Sequence, residues 1–578
     1  MSARAGLLRG LSLCHVSSTS ENVSQRRRLL HHFISKVSPS VITEENNRLG
    51  QDAFTLAVKD NIATAAAMDD SFSLQTTCAS SFLMGYRSPF EATIVTQLRA
   101  RGAVVVGKTN LDEFGMGSHS TYSTFGAVAQ EQDNKGDDIG SGVVVLRHSA
   151  GGSSGGSAVA VAVGDADVAL GTDTGGSVRL PAAYTGVVGF KPSYGMLSRH
   201  GVVPYANSLD TVGLLARSVY AVTRLVIVSG LWAEHDPKDP TSLSAAARKR
   251  CSAGREGYHY NQDDKTSSTE GMLKGIKFGL PLEYNIEELD PRIRDAWAAA
   301  ASVLQSLGAR IVPVSLPSTR HALSTYYVIA PAEASSNLAK YDGVRYGFRA
   351  SEDSAAATAA TTAAAERDGN IPLPGAEEEN KSDSGGRSNH VLYSATRGQG
   401  FGREVKRRIL LGSYTLSSEA MDNYFIQAQK VRRVVRRDFD RAFRLPNPLL
   451  GETEEEQQQQ FDLSDLPESI PMEDKFGPTQ VDFLLCPTAP TLAPLLDDVL
   501  DQEKDVTKAY MNDVFTVPAS LAGLPAVSIP VEVEAAAAPG GGGFVGLQLI
   551  GQYWDDARLL KVAGAVSECL TMNTKKKS

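Results

Sequence analysis

AGGSSGGSAVAVAVGDADVALGTDTGGSVRLP, residues 150–181, holds two Gly/Ser loops, 151–157 and 172–177, on either side of an apolar run broken at Gly164-Asp165. This spacing predicts loop, helix, turn, short strand and loop, the order of an α/β chain. A Gly/Ser run is most often a flexible tether. Here it alternates with an Ala/Val helix and stops at Arg179-Leu180-Pro181, which a tether does not do. Glycines let successive backbone N–H groups converge into an anion-binding nest, and a serine inside one can act as a nucleophile beside its own oxyanion donors.

The same rhythm appears on both sides. Phe54 to Val58 predicts a short strand ending at Lys59-Asp60-Asn61. Ile94, Val95 and Leu98 lie at helical spacing within Glu91 to Arg101, and Ala103 to Gly107 reads as a buried parallel strand. Asp290 to Leu307 predicts a helix closed by Gly308, with a strand from Ala309 to Pro313. Ala526 to Val531 and Phe544 to Leu549 read as two strands that pair across the loop EVEAAAAPGGGG, 532–543. Three segments read as low-complexity insertions, near 131–141, 352–389 and 451–475, because none carries enough apolar surface to offset its ordering entropy.

The chain has 578 residues, 42% of them apolar and 21% charged, enough for a sizeable core. Its net charge of −9 argues against nucleic-acid binding by bulk charge. The pairs Arg432-Arg433 and Arg436-Arg437 read as a solvated helix face, with local nucleic-acid contact as the rival. Cys14, Cys78, Cys251, Cys486 and Cys569 lack metal or disulfide spacing, so reduced thiols are expected and no metal site. No apolar run reaches the ~18 residues of a membrane-crossing helix. Residues 1–30, with Arg4, Arg9 and Arg26 to Arg28 against one acid, Glu21, read equally as a transit peptide or as a first helix with a basic face.

A serine nucleophile needs a group to take its proton. His119, His148 and His200 are the histidines nearest the loops in sequence, and they form no recognisable Ser-His-Asp pattern. Lys59, at the end of a buried strand, is the other candidate: desolvation lowers the pKa of an ammonium and leaves an amine able to act as base. The competing role for Lys59 is an ion pair, with Asp60 the nearest acid.

GGSSGGS, then LGTDTGGSVRLPAA and Gly186-Val187-Val188-Gly189-Phe190-Lys191-Pro192, resemble the amidase signature family. Upstream blocks agree: Val58-Lys59-Asp60-Asn61-Ile62, Ser88-Pro89-Phe90-Glu91-Ala92-Thr93, and Gly107-Lys108-Thr109-Asn110-Leu111-Asp112-Glu113-Phe114. The resemblance implies an α/β amidase-signature fold over 31–578, a mixed β-sheet covered by helices on both faces. It also implies a Ser, cis-Ser, Lys triad: Ser177 as nucleophile, Ser153 as the bridging serine after a cis peptide bond, and Lys59 as base. The amides of Thr174, Gly175, Gly176 and Ser177 would form the oxyanion hole, where one donor is worth about 3–4 kcal/mol of barrier. Ser154 and Ser157 fall to loop hydrogen bonding, Asp173 and Arg179 to bracing. The interval from Lys59 to Ser177 exceeds the family's usual one, and EQDNKGDDIGS, 131–141, occupies much of the excess.

Later blocks resemble one branch of that family, the glutamine-hydrolysing A subunits of tRNA-dependent amidotransferases: Glu333 to Leu338, Tyr341 to Gly347, Gly402 to Ile409 and Tyr510 to Asp513. Free glutamine carries an α-carboxylate and an α-ammonium, so its pocket needs a fixed cation and a fixed anion. Arg408 and Asp513 suit these roles, with Arg407 the rival cation and Tyr326 lining the pocket. The branch further implies a mitochondrial complex with a B subunit plus a small third subunit, working on glutamyl-tRNA(Gln). Nothing in this chain reads as a P-loop, so ATP and Mg are expected in the partner. The alternatives are a stand-alone amidase for small or fatty amides, and a catalytically dead scaffold.

Overall fold

Short apolar runs bounded by Gly, Asp and Asn become strands, buried on both faces where they lie in the middle of the sheet. The computed structural model describes residues 30–65, 74–132, 146–255, 257, 273–350, 393–450, 480–501, 506–533 and 543–577. The basic segment before Leu30, the insertions at 352–389 and 451–475 and most of 131–141 lie outside the described residues. Glu131 is described, and it belongs to a hairpin strand rather than to a structureless insertion.

The strands are β1 (Phe33–Lys36), β2 (Phe54–Lys59), β3 (Ala103–Thr109), β4 (Ala129–Gln132), β5 (Leu146–Ser149), β6 (Val168–Asp173) and β7 (Val188–Lys191). They continue with β8 (Thr211–Ala216), β9 (Lys277–Pro281), β10 (Arg310–Val314), β11 (Phe483–Pro487), β12 (Ala526–Val533) and β13 (Gly543–Ile550). Eleven form one mixed sheet in the order β1-β3-β2-β6-β8-β7-β12-β13-β11-β9-β10, while β4 and β5 pair separately. β2 runs parallel to both β3 and β6. β12 and β13 pair antiparallel from Ala526↔Ile550 to Val533↔Gly543, the pairing their sequences predict.

The helices that matter for the site are α1 (Thr93–Arg99), α2 (Gly155–Ala162), α3 (Arg179–Thr185), α4 (Pro291–Ser306), α5 (Ala322–Asn337), α6 (Arg403–Thr415), α7 (Gln427–Ala442) and α8 (Val517–Ala522). Strand alternation sorts the core into two faces. Leu56, Val58, Val105, Leu170 and Leu214 join Ile94 and Leu98 of α1 in the larger cluster. Ala57, Val106, Ala169 and Leu215 meet Ala158 and Val161 of α2 in the other. Helices therefore cover both faces. The boundaries of α4 follow local chemistry: the Asp290 carboxylate accepts from Arg292 N, Pro291 opens the helix, and Gly308 turns the chain away at φ 94°.

Parallel β2 and β6 end side by side, so the turn after Lys59 and the loop after Asp173 open on one edge of the sheet. Ligand sites of open α/β sheets sit at such carboxyl ends. α5 and α6 close the site from above. Gly412 of α6 is so near the Pro331 carbonyl of α5 that a Cβ there would overlap backbone. Gly412→Ala is therefore expected to force the two helices apart and cost about 1–3 kcal/mol, read as a lower urea midpoint; an unchanged midpoint would contradict this seating.

Candidate active site

Lys59 ends β2 with its side chain wholly buried. Nζ lies 2.8 Å from Ser153 Oγ, 2.8 Å from Ser154 Oγ and 2.9 Å from Thr172 Oγ1. Burial lowers its pKa to about 7, against the pull of the Asp112, Asp173 and Asp210 carboxylates. Asp60 is not its partner: that carboxylate lies 3.2 Å from Lys108 Nζ and accepts from Thr77 N at 2.8 Å. The hydroxyls around Lys59 are oriented. Ser154 Oγ donates to Thr172 O at 3.3 Å, and Thr172 Oγ1 accepts from Asn61 Nδ2 at 3.1 Å. A neutral amine giving its two N–H groups to Ser154 and Thr172 keeps its lone pair for the Ser153 hydroxyl. Ser154, expected only to hold its loop, thus also holds the amine.

Ser153 follows a cis peptide bond from Gly152. A Cβ on Gly152 would overlap the Asp112 carboxylate, which lies against this turn. Asp112 N donates to Ser153 O at 3.3 Å, and Ser154 N donates to Ser177 O at 3.1 Å, so the two Gly/Ser loops are joined. Ser153 is fully buried, whereas Ser177 is half-buried and open to an incoming molecule. The backbone N–H groups of Thr174, Gly175, Gly176 and Ser177 make no hydrogen bond among the described residues. Ser157 turns into the core, 2.6 Å from Thr109 Oγ1.

Asp173 and Arg179 brace this loop through a two-pronged ion pair, at 2.9 Å from Nε and 2.8 Å from Nη2. Arg179 also donates to Thr516 O at 2.9 Å, to Gln548 Oε1 at 2.7 Å and to Ser520 Oγ at 2.8 Å. Burial alone would push the Asp173 carboxyl up; Arg179 overrides it and holds the group below its ordinary value.

Arg408, Asp513 and Tyr326 come together, the last two against the same loop. Tyr326 abuts Gly175, where a Cβ would come within 2.7 Å of its Cζ. A Cβ on Gly176 would lie 3.3 Å from Asp513 Oδ1. Burial pushes Asp513 up to about 7, while Ser118 Oγ, donating at 3.1 Å, and the nearby Arg408 favour its ionised form. Arg408 sits among the rings of Tyr205, Tyr327 and Tyr510, with its guanidinium carbon 5.3–5.6 Å from their centroids. Its Nε donates to Glu404 Oε1 at 2.8 Å and Nη1 to Tyr205 OH at 2.5 Å. Nη2 makes no hydrogen bond among the described residues. Arg407, the rival, points elsewhere, donates to the other Glu404 oxygen and is more exposed.

The sequence gives less warning of other members. Asp112 accepts from Ser120 N at 2.9 Å and Tyr122 N at 3.0 Å, fixing the segment that backs the Gly152-Ser153 turn. His119 is buried, and burial lowers its pKa to about 4, so it is neutral. Asn512 Nδ2 lies 3.0 Å from its Nε2, which makes Nε2 the acceptor and Nδ1–H the donor to Ser149 Oγ at 2.8 Å. Glu404 was legible as the acid four residues before Arg408, the helical ion-pair spacing. The solvated-face reading of the arginines on α7 holds for Arg433, which is exposed, and is corrected for two others: Arg432 turns inward to Ser208 O, 2.8 Å, and Leu521 O, 2.9 Å, and Arg437 is buried. Among the described residues no three His, Cys, Asp or Glu side chains gather as a metal site, and no helix is long and apolar enough to cross a membrane.

The amidase family model matches residues 54–560, a span that contains every residue of this site. The mitochondrial A subunit of the glutamyl-tRNA(Gln) amidotransferase from Neurospora crassa is 62% identical over 98% of this chain and 99% of its own length. Its counterpart from Podospora anserina is 59% identical, again over 98% and 99%. Among solved structures, the A subunit of the Thermotoga maritima glutamyl-tRNA(Gln) amidotransferase superposes with a TM-score of 0.59 at 30% identity, covering 94% of this chain and 89% of that one. By these matches, and by the loops and buried lysine they contain, the chain belongs to the amidase family, in which the glutamyl-tRNA(Gln) amidotransferase A subunits match it over nearly its whole length.

Proposed function

We propose that this chain is the glutamine-hydrolysing subunit of a mitochondrial glutamyl-tRNA(Gln) amidotransferase, with Lys59, Ser153 and Ser177 as its catalytic residues. The observation that carries the reading is a cation and a carboxyl group, Arg408 and Asp513, near enough to act on each other, with Asp513 beside Gly176 of the nucleophile loop. Arg408 receives the α-carboxylate of glutamine, Asp513 the α-ammonium, and Tyr326 walls the pocket. The arriving ammonium holds Asp513 ionised despite its burial.

The Ser177 hydroxyl attacks the γ-carboxamide carbon and passes its proton to Ser153, which passes its own to neutral Lys59. The carbonyl oxygen becomes an oxyanion held by the free amides of Thr174, Gly175, Gly176 and Ser177. The proton returns through Ser153 to the leaving nitrogen, the C–N bond breaks, and ammonia departs from a γ-glutamyl ester on Ser177. Water, deprotonated along the same path, releases glutamate.

Ammonia then serves a B subunit, which activates the glutamyl group on glutamyl-tRNA(Gln) with ATP and Mg and accepts the nitrogen; a small third subunit completes the complex. An apolar surface supports a partner on this side. Leu410 is 71% exposed and Tyr414 58% on α6, the helix that carries Arg408, and Tyr424 beyond it is 46% exposed. Patches of this kind mark protein contacts.

Three outcomes are expected. Because the amine must be neutral, ammonia release at saturating glutamine should climb with pH about an inflection near 7, and be about tenfold slower at pH 6 than at pH 8. A profile flat over that range would remove Lys59 as base. Ser177→Ala should cut turnover by at least ~10⁴-fold with unchanged thermal unfolding; residual ammonia release near the parent rate would remove the nucleophile. Arg408→Ala should lower kcat/KM for glutamine by roughly 10²-fold or more, through KM. If glutamine turnover were unchanged and simple amides were cleaved as well, a stand-alone amidase would be the better description.

A further inference from the structure

Helix α6 begins without a capping side chain of its own. The residue before its first turn is Gly402, and a Cβ there would overlap the Glu113 carboxylate. Glu113 occupies that space instead, from 289 positions upstream: its Oε2 accepts from Gly402 N at 2.7 Å and its Oε1 from Ser80 Oγ at 2.5 Å. A distant carboxylate thus does what the third residue of a capping box does locally, and its charge meets the positive end of the helix. Glu404 and Arg408 follow in the first two turns of α6. On the other side, Glu113 adjoins Asp112, whose backbone N–H holds Ser153 O at 3.3 Å. The same segment reaches Asp513 through Ser118 Oγ at 3.1 Å.

We propose that Glu113 is a positioning residue for glutamine: its ionised carboxylate fixes the start of α6, and hence Arg408, relative to the segment that carries Ser118 and supports Ser153. It touches neither the amide nor the nucleophile, so its effect falls on substrate affinity, and protonation loosens the hold. The inference rests on the glutaminase reading above.

Burial pushes Glu113 up to about 7, while Ser80, Gly402 and the Lys406 ammonium pull the other way. Lys406 comes from α6; from the segment beneath comes the Cys78 thiol, which burial keeps neutral by raising its pKa well above the ordinary value. A carboxyl raised in this way gains its proton as pH falls through about 7, so KM for glutamine rises below that pH. Asp513 is pushed up to about 7 as well, so wild-type kinetics alone do not separate the two groups.

The test uses the full chain with whatever subunits co-purify, measuring ammonia from glutamine between pH 6 and 8. Glu113→Gln keeps an acceptor but removes the charge. It is expected to raise KM about tenfold at pH 8 with kcat within about twofold, and to shrink the ratio of KM at pH 6 to KM at pH 8 by about the same factor. Ser80→Ala removes a donor to the carboxylate and is expected to move the rise in KM to higher pH at unchanged kcat. Asp513 is intact in both variants. A Glu113→Gln protein with parental KM at pH 8, or with KM and kcat damaged alike, overturns the proposal. So does a Ser80→Ala protein whose KM curve has not moved, which decides the matter alone if Glu113→Gln does not fold. Absence of ammonia from the wild-type protein would instead defeat the glutaminase reading, and this inference with it.

Discussion

An amine stripped of water, with hydroxyls rather than a carboxylate in its first layer, is the condition on which this site depends. In bulk water an ammonium at neutral pH is charged and useless as a base; at the end of β2 burial takes its hydration away and brings its pKa to about 7. The danger in such a site is any nearby carboxylate, which would return the charge. Three stand close enough to act on Lys59, namely Asp112, Asp173 and Asp210, and each is occupied elsewhere. Asp112 accepts two backbone amides, Asp173 is locked to Arg179, and Asp210 takes the Thr174 hydroxyl at 2.8 Å and the Tyr205 amide at 2.9 Å. Each is thus bonded to other groups rather than to the amine, and the pull that all three still exert on Lys59 is weaker than the loss of hydration.

The same bonds build the loop. Thr174 is tied to Asp210 and Asp173 to Arg179, so the backbone between Thr174 and Ser177 is fixed at both ends while its own amides stay free. Free amides on a rigid loop cost little reorganisation when charge develops before them, which is what makes an oxyanion hole effective. The glycines take part through size: at Gly175 and Gly176 a side chain would strike Tyr326 and Thr516. Tyr326 and the loop of the proposed nucleophile are therefore packed against each other, and a shift in one is felt in the other.

Much of this is legible in the residues alone, and the reason is local. The strands read at 54–58 and 103–107, which the structure extends to 59 and 109, and the loop, helix and strand order of 150–173 follow from short-range period and from glycine placement. Lys59 stands out because a lysine ending an apolar run is anomalous. What stays hidden depends on contacts far apart in sequence. Nothing near residue 113 says that its carboxylate will meet residue 402, and nothing near Arg432 says that its guanidinium will turn inward to Ser208 rather than face solvent. His119 belongs to no serine-histidine-acid pattern in the sequence; its role as a neutral bridge between Ser149 and Asn512 needs the fold.

Lys59 and Lys108 make the governing constraint visible, since they lie on adjacent parallel strands and are equally buried. Burial pushes both amines toward the neutral form. Lys108, however, has the Asp60 carboxylate at 3.2 Å, the Ile62 carbonyl at 2.8 Å and the Gln75 carbonyl at 3.2 Å, acceptors that reward an ammonium with three protons. Its Coulomb attraction to Asp60 at that range opposes the desolvation, and we take the pair to be charged. Lys59 has hydroxyls, which can give a hydrogen as well as receive one. The acid next to Lys59 in sequence thus serves its neighbour, and that division of partners leaves one buried lysine as scaffold and the other free to exchange a proton.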